Sequence, residues 1–387
     1  MSNLDEMKEQ FFKLYKQEPS LYIDTGGRFE ICGNHTDHNH GLCLVANCSL
    51  RIRAVVNKNP NLVRVLSKGY KYFEFDINDL TYKVTDYPAT MAIARGILFK
   101  LKELGYKIGG FDAYIISDIP DGSGVSSSAA VESLFGYIIS YLYNDKQILP
   151  LTIAKVGQFS ENNYFKKPSG LLDQIGTSYD SSNFIDFKNI DDPIINTLPF
   201  DLPLTLYLIK SEGDHSNLTP LYSAIPSSMY EVAKLLDGKH FLRDCNEENI
   251  ECRIDALNID DGIKRKAKHF FIENKNVLKA KKAIEDNNVK DFLSAIRASQ
   301  ESSKNNLENT FVRGEFAGSP QEIIDNVTSF IKDHGAIRIH GGGFKGTVLA
   351  FIKNDFTSEF DSYLEKYYKG KYYKVIISNK AVNSKSL

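Results

Sequence analysis

The chain has 387 residues, 42% of them hydrophobic, and a formal net charge of −2. That length exceeds one ordinary hydrophobic core and predicts two domains; the near-neutral charge offers no basic field for nucleic acid, and no stretch is apolar enough to span a bilayer. The five cysteines, Cys32, Cys43, Cys48, Cys245 and Cys252, are odd in number and form no CxxC pair, which argues against a disulfide framework or a zinc ribbon and predicts a cytoplasmic protein.

From the N-terminus, MSNLDEMKEQFFKLYKQ mixes acids among its bases without a continuous apolar run, and so predicts an amphipathic helix rather than a signal peptide. LYIDTGGRFEICG and VRVLSKGYKYFEFDI are rich in β-branched and aromatic residues and predict strands, the second broken by a Lys-Gly turn. MAIARGILFKLKELGYK carries apolar residues at helical spacing and ends near a glycine, and FDAYIISDIP reads as the strand after it. Three helical stretches follow: SSSAAVESLFGYIISYLY, LTIAKVGQFSENNYFK and GLLDQIGTSYD. The apolar strands NFIDF and LTLYLIK then flank a polar, Pro-containing loop near residues 188 to 203. The domain boundary is placed there, giving 1–203 and 204–387. Helical patterns dominate downstream until AIRIHGGGFKGTVLAFIK, two strands around a glycine cluster. This irregular alternation predicts an α+β fold rather than a doubly wound sheet.

Three stretches carry chemistry. In DIPDGSGVSSSAAVESLFGY a strand runs into Gly122, Ser123 and Gly124, and Ser126, Ser127 and Ser128 open an apolar-periodic helix. Glycine freedom, a helix N-terminus and serine hydroxyls together make an anion cradle for the phosphates of a nucleotide. Neither the Walker A spacing nor the dinucleotide fingerprint is present, and a Gly/Ser linker capping a helix is the alternative reading. Between the last two apolar strands, Gly341, Gly342, Gly343 and Gly346 exceed what a hairpin needs, so the backbone there approaches another segment or a ligand closely. Lys345 within that turn adds a charge able to reach phosphate.

The third stretch, GNHTDHNHG, holds His35, Asp37, His38 and His40. Its order matches neither HExxH nor HxHxDH, and the remaining histidines stand singly, so a catalytic metal site is the weaker reading. A polar loop presenting both donors and acceptors suits a ligand rich in hydroxyls.

In this order and at these distances, the three stretches resemble the galactokinases, members of the GHMP small-molecule kinase family. The family patterns GRxN(I/L)IGEHTDYNxG, PxGxGLSSSAA and GxGFGG appear here as GRFEICGNHTDHNHG, PDGSGVSSSAA and GGGFKG. GLLDQ at 170–174 resembles the family's GIMDQ, HSNLTPLY at 215–222 its HSLxxSxY, and HFFIENKNVLKA from His269 its HVxxExxRVLxA. The resemblance covers nearly the whole chain. It implies a GHMP N-terminal domain, a ferredoxin-like C-terminal domain and an active site in the cleft between them. It also implies ATP-dependent phosphorylation of the anomeric hydroxyl of galactose, with Mg2+. Asp173 falls on the catalytic aspartate and Arg28 on its partner; Ser128 and Glu161 fall on magnesium ligands. Asn34, His35, Asp37, Gly170 and Tyr222 fall on sugar-binding positions.

Departures cluster in the sugar signature. Asn34 stands where the family has glutamate, Glu30 where it has asparagine, Cys32 where it has isoleucine, and His38 where it has tyrosine. The loss of charge at Asn34 points to altered selectivity around the sugar's C6, and Lys345 replaces a glycine. A related sugar 1-kinase acting on an N-acetylhexosamine, fucose or arabinose is therefore the alternative enzyme. A galactose sensor without turnover is the alternative outside enzymes. The expected partners are a small-molecule sugar and ATP, with no nucleic acid or membrane; a monomer suffices, and the oligomeric state stays open.

Overall fold

A computed structural model describes residues 3–387 apart from Asp121, Pro168 and 214–217, so His215, which opens the HSNLTPLY stretch, lies outside the described residues. The strands are β1 (Leu21–Cys32), β2 (Leu42–Asn59), β3 (Leu62–Ser67), β4 (Phe73–Asp76), β5 (Gly110–Ser117), β6 (Ser182–Asp186), β7 (Ile194–Leu198), β8 (Leu204–Lys210), β9 (Gly335–His340), β10 (Thr347–Lys353), β11 (Tyr372–Val375) and β12 (Val382–Ser386). The first sheet has the order β12-β1-β2-β5-β3-β4, with β6 pairing β2 and β7 pairing β6. Only its β3–β5 pairing is parallel. The second sheet, β11-β8-β10-β9, is antiparallel throughout. The fold is α+β, as the irregular alternation predicts.

Both faces of the second sheet are covered, and its strands show it by alternation. Leu206 and Leu208 of β8, with Leu349 and Phe351 of β10, join a core that also holds Phe292 and Ile296 and continues into the first sheet. The intervening Tyr207, Ile209, Val348, Ala350 and Ile352 pack instead with Val327, Ile331 and Phe360, from the helices Pro320–Ile331 and Thr357–Tyr367. A one-residue slip would exchange the two sets. Among the described residues no helix is long and apolar enough to cross a membrane.

Several elements escape the sequence reading, the helix Thr357–Tyr367 and β11 among them. β2, at 18 residues the longest strand described, is buried on both faces for most of its length and so lacks alternation. β7 lies inside the stretch read as a loop; its pairing with β6 supplies the order that its mostly exposed side chains do not. β12 carries the C-terminal end back to β1 in the first sheet.

The site is shaped largely by irregularities in β1. Its register against β2 shifts between Gly26 and Arg28 and again between Glu30 and Cys32, and such bulges re-aim side chains. At Gly27 a Cβ would lie 2.6 Å from Val125 O, while Arg28 N–H donates to that carbonyl at 2.9 Å. Only a glycine lets the serine-rich loop dock this closely on the strand.

Candidate active site

Arg28, Glu30, Asn34, His35, Asp37, His38, Gly170, Asp173, Gly341 and Gly342 line one cavity of about 270 Å3, joined by Lys167, Ser169 and Leu172. Residues more than 300 positions apart thus meet at one floor. Asp173 opens the helix Leu172–Ser178. Its Oδ1 accepts from Arg28 Nε at 2.8 Å and its Oδ2 from Ser126 Oγ at 2.5 Å; Arg28 Nη1 also donates to Gly124 O at 2.7 Å. Burial alone would raise the Asp173 carboxyl, but the guanidinium and the serine hydroxyl outweigh it and hold this group below the usual range.

The serine loop is built for close approach. Gly122 and Gly124 adopt φ of 68° and 72°, and Ser126 takes 55° just before the helix Ser127–Tyr143. Ser128 Oγ donates to Glu161 Oε1 at 3.2 Å, and Lys167 Nζ reaches the same oxygen at 3.0 Å. Behind them, Gln174 Nε2 bridges Glu161 Oε2 at 2.9 Å and Glu132 Oε2 at 3.0 Å. Burial first, and the charge of Glu161 second, push the Glu132 carboxyl well up. A second, apolar cavity of about 220 Å3 adjoins this helix start, lined by Ser127, Ser128, Tyr70, Thr90, Ile93 and Phe165 among others.

The histidines are engaged with one another and with the backbone. Asn39 Nδ2 donates to His38 Nδ1 at 3.2 Å, His38 Nε2 lies 3.3 Å from His35 Nδ1, and His35 Nε2 lies 2.9 Å from Gly342 O. One consistent set of neutral tautomers runs from Asn39 to Gly342 O, and burial lowers the pKa of both rings. His40 turns away and stacks on Phe241. Among the described residues no group of three or more His, Cys, Asp or Glu could hold a metal ion. A pair such as Ser128 and Glu161 has a different chemistry, since magnesium takes few protein oxygens and keeps several waters.

Asn34 is likewise engaged within the protein. Its Nδ2 donates to Glu30 Oε1 at 2.9 Å and to Gly341 O at 2.7 Å, and its Oδ1 accepts from Asn309 Nδ2 at 2.8 Å. The side-chain bonds to Glu30, including that from Arg338 Nη2 at 3.2 Å, both fall on Oε1. Asp37 is pushed up to about 6, by burial first, with the charges of Glu30 and Asp173 adding to it and backbone N–H bonds opposing. Gly170 stands against it: a Cβ there would lie 2.5 Å from Asp37 Oδ2.

Gly341 and Gly343 take φ of 70° and 83°. Tyr222 is not part of the cavity lining; its hydroxyl donates to Gly343 O at 3.1 Å, and its ring lies against Gly342. Lys345 pairs with Glu315 at 2.5 Å. The sequence reading missed Lys167, whose KKP setting reads as a solvated charge, and Asn309 and Arg338, which have no local motif; it gave no role to Glu273, although that residue is the glutamate of HFFIENKNVLKA. Glu273 accepts from the backbone N–H groups of Gly33 at 2.9 Å and Asn34 at 3.2 Å. Its place four residues after His269, whose Nε2 lies 2.8 Å from Asn34 O, puts both on one helix face and was a readable signal.

Residues 92–181 match the GHMP kinases N terminal domain, and residues 9–58 match the galactokinase galactose-binding signature. The chain thus contains a GHMP kinase N-terminal domain and a galactokinase galactose-binding signature. The kinase is 26% identical to a galactokinase of Streptococcus suis, over 95% of this chain and 93% of that protein. It is 28% identical to a galactokinase of Limosilactobacillus reuteri, over 94% of this chain and 95% of that protein. In fold it is similar to Lactococcus lactis galactokinase complexed with galactose, with a TM-score of 0.83 and 21% identity over 99% of this chain and 100% of that one. Methanococcus jannaschii mevalonate kinase follows with a TM-score of 0.65 and 14% identity, over 93% of this chain and 99% of that one. These likenesses make the chain a phosphotransferase acting on a hydroxyl acceptor.

Proposed function

We propose that this kinase transfers the γ-phosphoryl group of ATP to the anomeric hydroxyl of galactose, giving galactose 1-phosphate and ADP. The observation that carries this reading is a single cavity in which the galactose-binding signature meets Asp173, beside the serine-rich helix start. The anomeric oxygen bonds to phosphorus as the bond from phosphorus to ADP breaks, and the hydroxyl proton leaves toward Asp173. Arg28 and Ser126 orient that carboxylate. The backbone of Gly122–Gly124 and the start of the helix Ser127–Tyr143 cradle phosphate, and the adjoining apolar cavity takes the nucleoside end. Ser128 and Glu161, a hydroxyl and a carboxylate sharing one contact, fit the hard-oxygen preference of Mg2+. When bound, Mg2+ supplies neutralisation of the phosphate charges. Tyr222 acts through the glycine turn it supports. We keep the division at residues 203 and 204, with β12 assigned to the first domain through its pairing with β1. The free cysteines suit a cytoplasmic setting.

Selectivity follows from the exchange at positions 30 and 34. Asn34 carries no charge, but Glu30 lies against its amide and lines the same cavity, so a carboxylate is retained at that end with Oε2 available to a sugar hydroxyl. This favours galactose over the fucose and arabinose alternatives, which lack a 6-hydroxyl. The test is ADP release across galactose, N-acetylgalactosamine, fucose, arabinose, glucose and mannose, for the wild-type protein and Glu30→Gln. Galactose is expected to be turned over best, with Glu30→Gln raising its KM about tenfold and leaving that of 6-deoxygalactose (fucose) nearly unchanged. Better turnover of another sugar by the wild-type protein would move the substrate, and silence on every sugar would favour the sensor.

Asp37 sets a pH dependence. As an ionised acceptor it grips sugar hydroxyls above its pKa of about 6, so KM for galactose is expected to rise several-fold between pH 7 and pH 5 while kcat changes little. Its folded pKa is raised, so its contribution to stability is complete below the unfolded value and is lost as pH rises through about 6. Acidification therefore strengthens the unliganded fold through this group while weakening sugar binding, which separates the effect from acid unfolding. A pH-independent KM, or the same slope in Asp37→Asn, would remove Asp37 from the sugar's contacts.

A further inference from the structure

Lys167 lies between the helices Pro150–Asn163 and Leu172–Ser178, and none of the roles assigned above uses it. Its side chain lines the sugar cavity beside Asp37, Gly170 and Asp173. Its Nζ sits 3.0 Å from Glu161 Oε1, the oxygen that also accepts from Ser128 at the start of the cradle helix. One cation therefore touches the sugar side and the phosphate side at once.

A phosphoryl group moving from the Ser126–Ser128 cradle to a hydroxyl beside Asp173 must pass this point. It carries negative oxygens throughout, and Asp173 and Glu161 already border the path with negative charge. A cation at the crossing offsets that repulsion, and charge neutralisation is most of what phosphoryl transfer asks of a protein. The present ion pair leaves Lys167 free to serve. Its side chain is 60% exposed although that of Glu161 is 3% exposed, so the contact is screened by solvent and the flexible stem can carry the ammonium to a stronger anion.

Resting on the sugar-kinase reading, we propose that Lys167 is a catalytic residue that contacts the oxygens of the transferred phosphoryl group and grips the sugar 1-phosphate product through the same contact. The decisive measurement is calorimetric binding of galactose and of galactose 1-phosphate, without ATP or added metal, to the wild-type protein, Lys167→Met and Lys167→Arg. Lys167→Met is expected to weaken galactose 1-phosphate about 10- to 100-fold and to change galactose by less than about twofold, with Lys167→Arg restoring most of the loss. Turnover by Lys167→Met should show a lower kcat at an unchanged KM for galactose. Equal binding of galactose 1-phosphate by Lys167→Met and the wild-type protein would overturn the proposal, as would an equal loss of both compounds, which marks a structural role. A wild-type protein that binds neither compound would sink the galactose reading and this role with it; normal wild-type binding with an indifferent variant would sink Lys167 alone.

Discussion

Asp173→Asn is expected to lower kcat by roughly 1,000-fold while leaving the Kd for galactose within a few-fold of the wild-type value. The substitution keeps the shape of the side chain and removes its charge. Arg28 stays anchored through its bond to Gly124 O at 2.7 Å, so the cavity keeps its form, and the loss reads chemistry rather than folding. The same geometry indicates which part of the chemistry is lost. A carboxylate held below its usual range by a guanidinium and a serine hydroxyl is a weak base near neutral pH, and the best general bases titrate near the working pH. Asp173 should therefore act mainly by orienting the hydroxyl and accepting its proton late, as the bond to phosphorus forms. Two measurements decide this. The wild-type kcat should show no ionisation assignable to Asp173 between pH 5 and pH 8, and Ser126→Ala, which removes one of the two groups holding the carboxylate down, should move its pKa upward. A kcat for Asp173→Asn within tenfold of the wild-type value would remove Asp173 from the centre of the reaction.

The serine-rich turn is legible in the sequence because it is local, whereas Arg28 and Asp173, bonded across 145 positions, are expected only from the family resemblance. Gly122, Gly124 and the serines sit within one strand-loop-helix unit, and the backbone angles they adopt are those that glycine-rich turns exist to supply. Around the sugar the chemistry is not local. Read along the chain, Asn34 looks like a lost charge and Glu30 like an unrelated exchange; in space they are bonded at 2.9 Å and the charge has only moved. Asn309 completes the Asn34 contacts from 275 positions away, and no period or motif announces such a partner. The histidines mislead for the opposite reason. Their density in GNHTDHNHG suggests a ligand set, but the ring nitrogens of His35 and His38 are used by one another, by the Asn39 amide and by the Gly342 carbonyl, and His40 stacks on Phe241. Lys167 is invisible because a lysine beside another lysine and a proline most often faces solvent, and only Glu161 and the cavity wall give it meaning. The same division holds for the fold: the short apolar runs of β8, β9 and β10, bounded by turn residues, read directly, whereas the long β2 and β12, placed by its pairing with β1, do not.

Arg338→Met is expected to destabilise the protein by about 3–5 kcal/mol, the largest stability effect of any single substitution proposed. Arg338 is fully buried on β9. Its Nη1 donates to Glu30 O at 3.0 Å and Ile31 O at 3.3 Å, and its Nη2 to Glu30 Oε1 at 3.2 Å. Burial disfavours its charge, but Glu30 and Glu273 outweigh that cost. Methionine fills much of the volume and supplies none of the donors, so Glu30 would keep only the amide of Asn34, and the field of two buried carboxylates would go unopposed. A lysine would not substitute, because one ammonium cannot bond the backbone carbonyls of β1 and the Glu30 carboxylate in a planar fork. The two carboxylates differ in consequence. Glu273 holds the backbone of Gly33 and Asn34, and Glu30 lines the cavity, so losing Arg338 should loosen the floor of the cavity as well as the junction between the sheets. The measurement is the shift in urea midpoint, with Glu30→Gln and the double variant Arg338→Met/Glu30→Gln completing the cycle. If the destabilisation comes from an unpaired buried charge, neutralising Glu30 in the Arg338→Met background should recover at least about 1 kcal/mol. An Arg338→Met variant within about 1 kcal/mol of the wild-type protein, or a strictly additive double variant, would show that the guanidinium is not what holds the sugar loop to the second sheet.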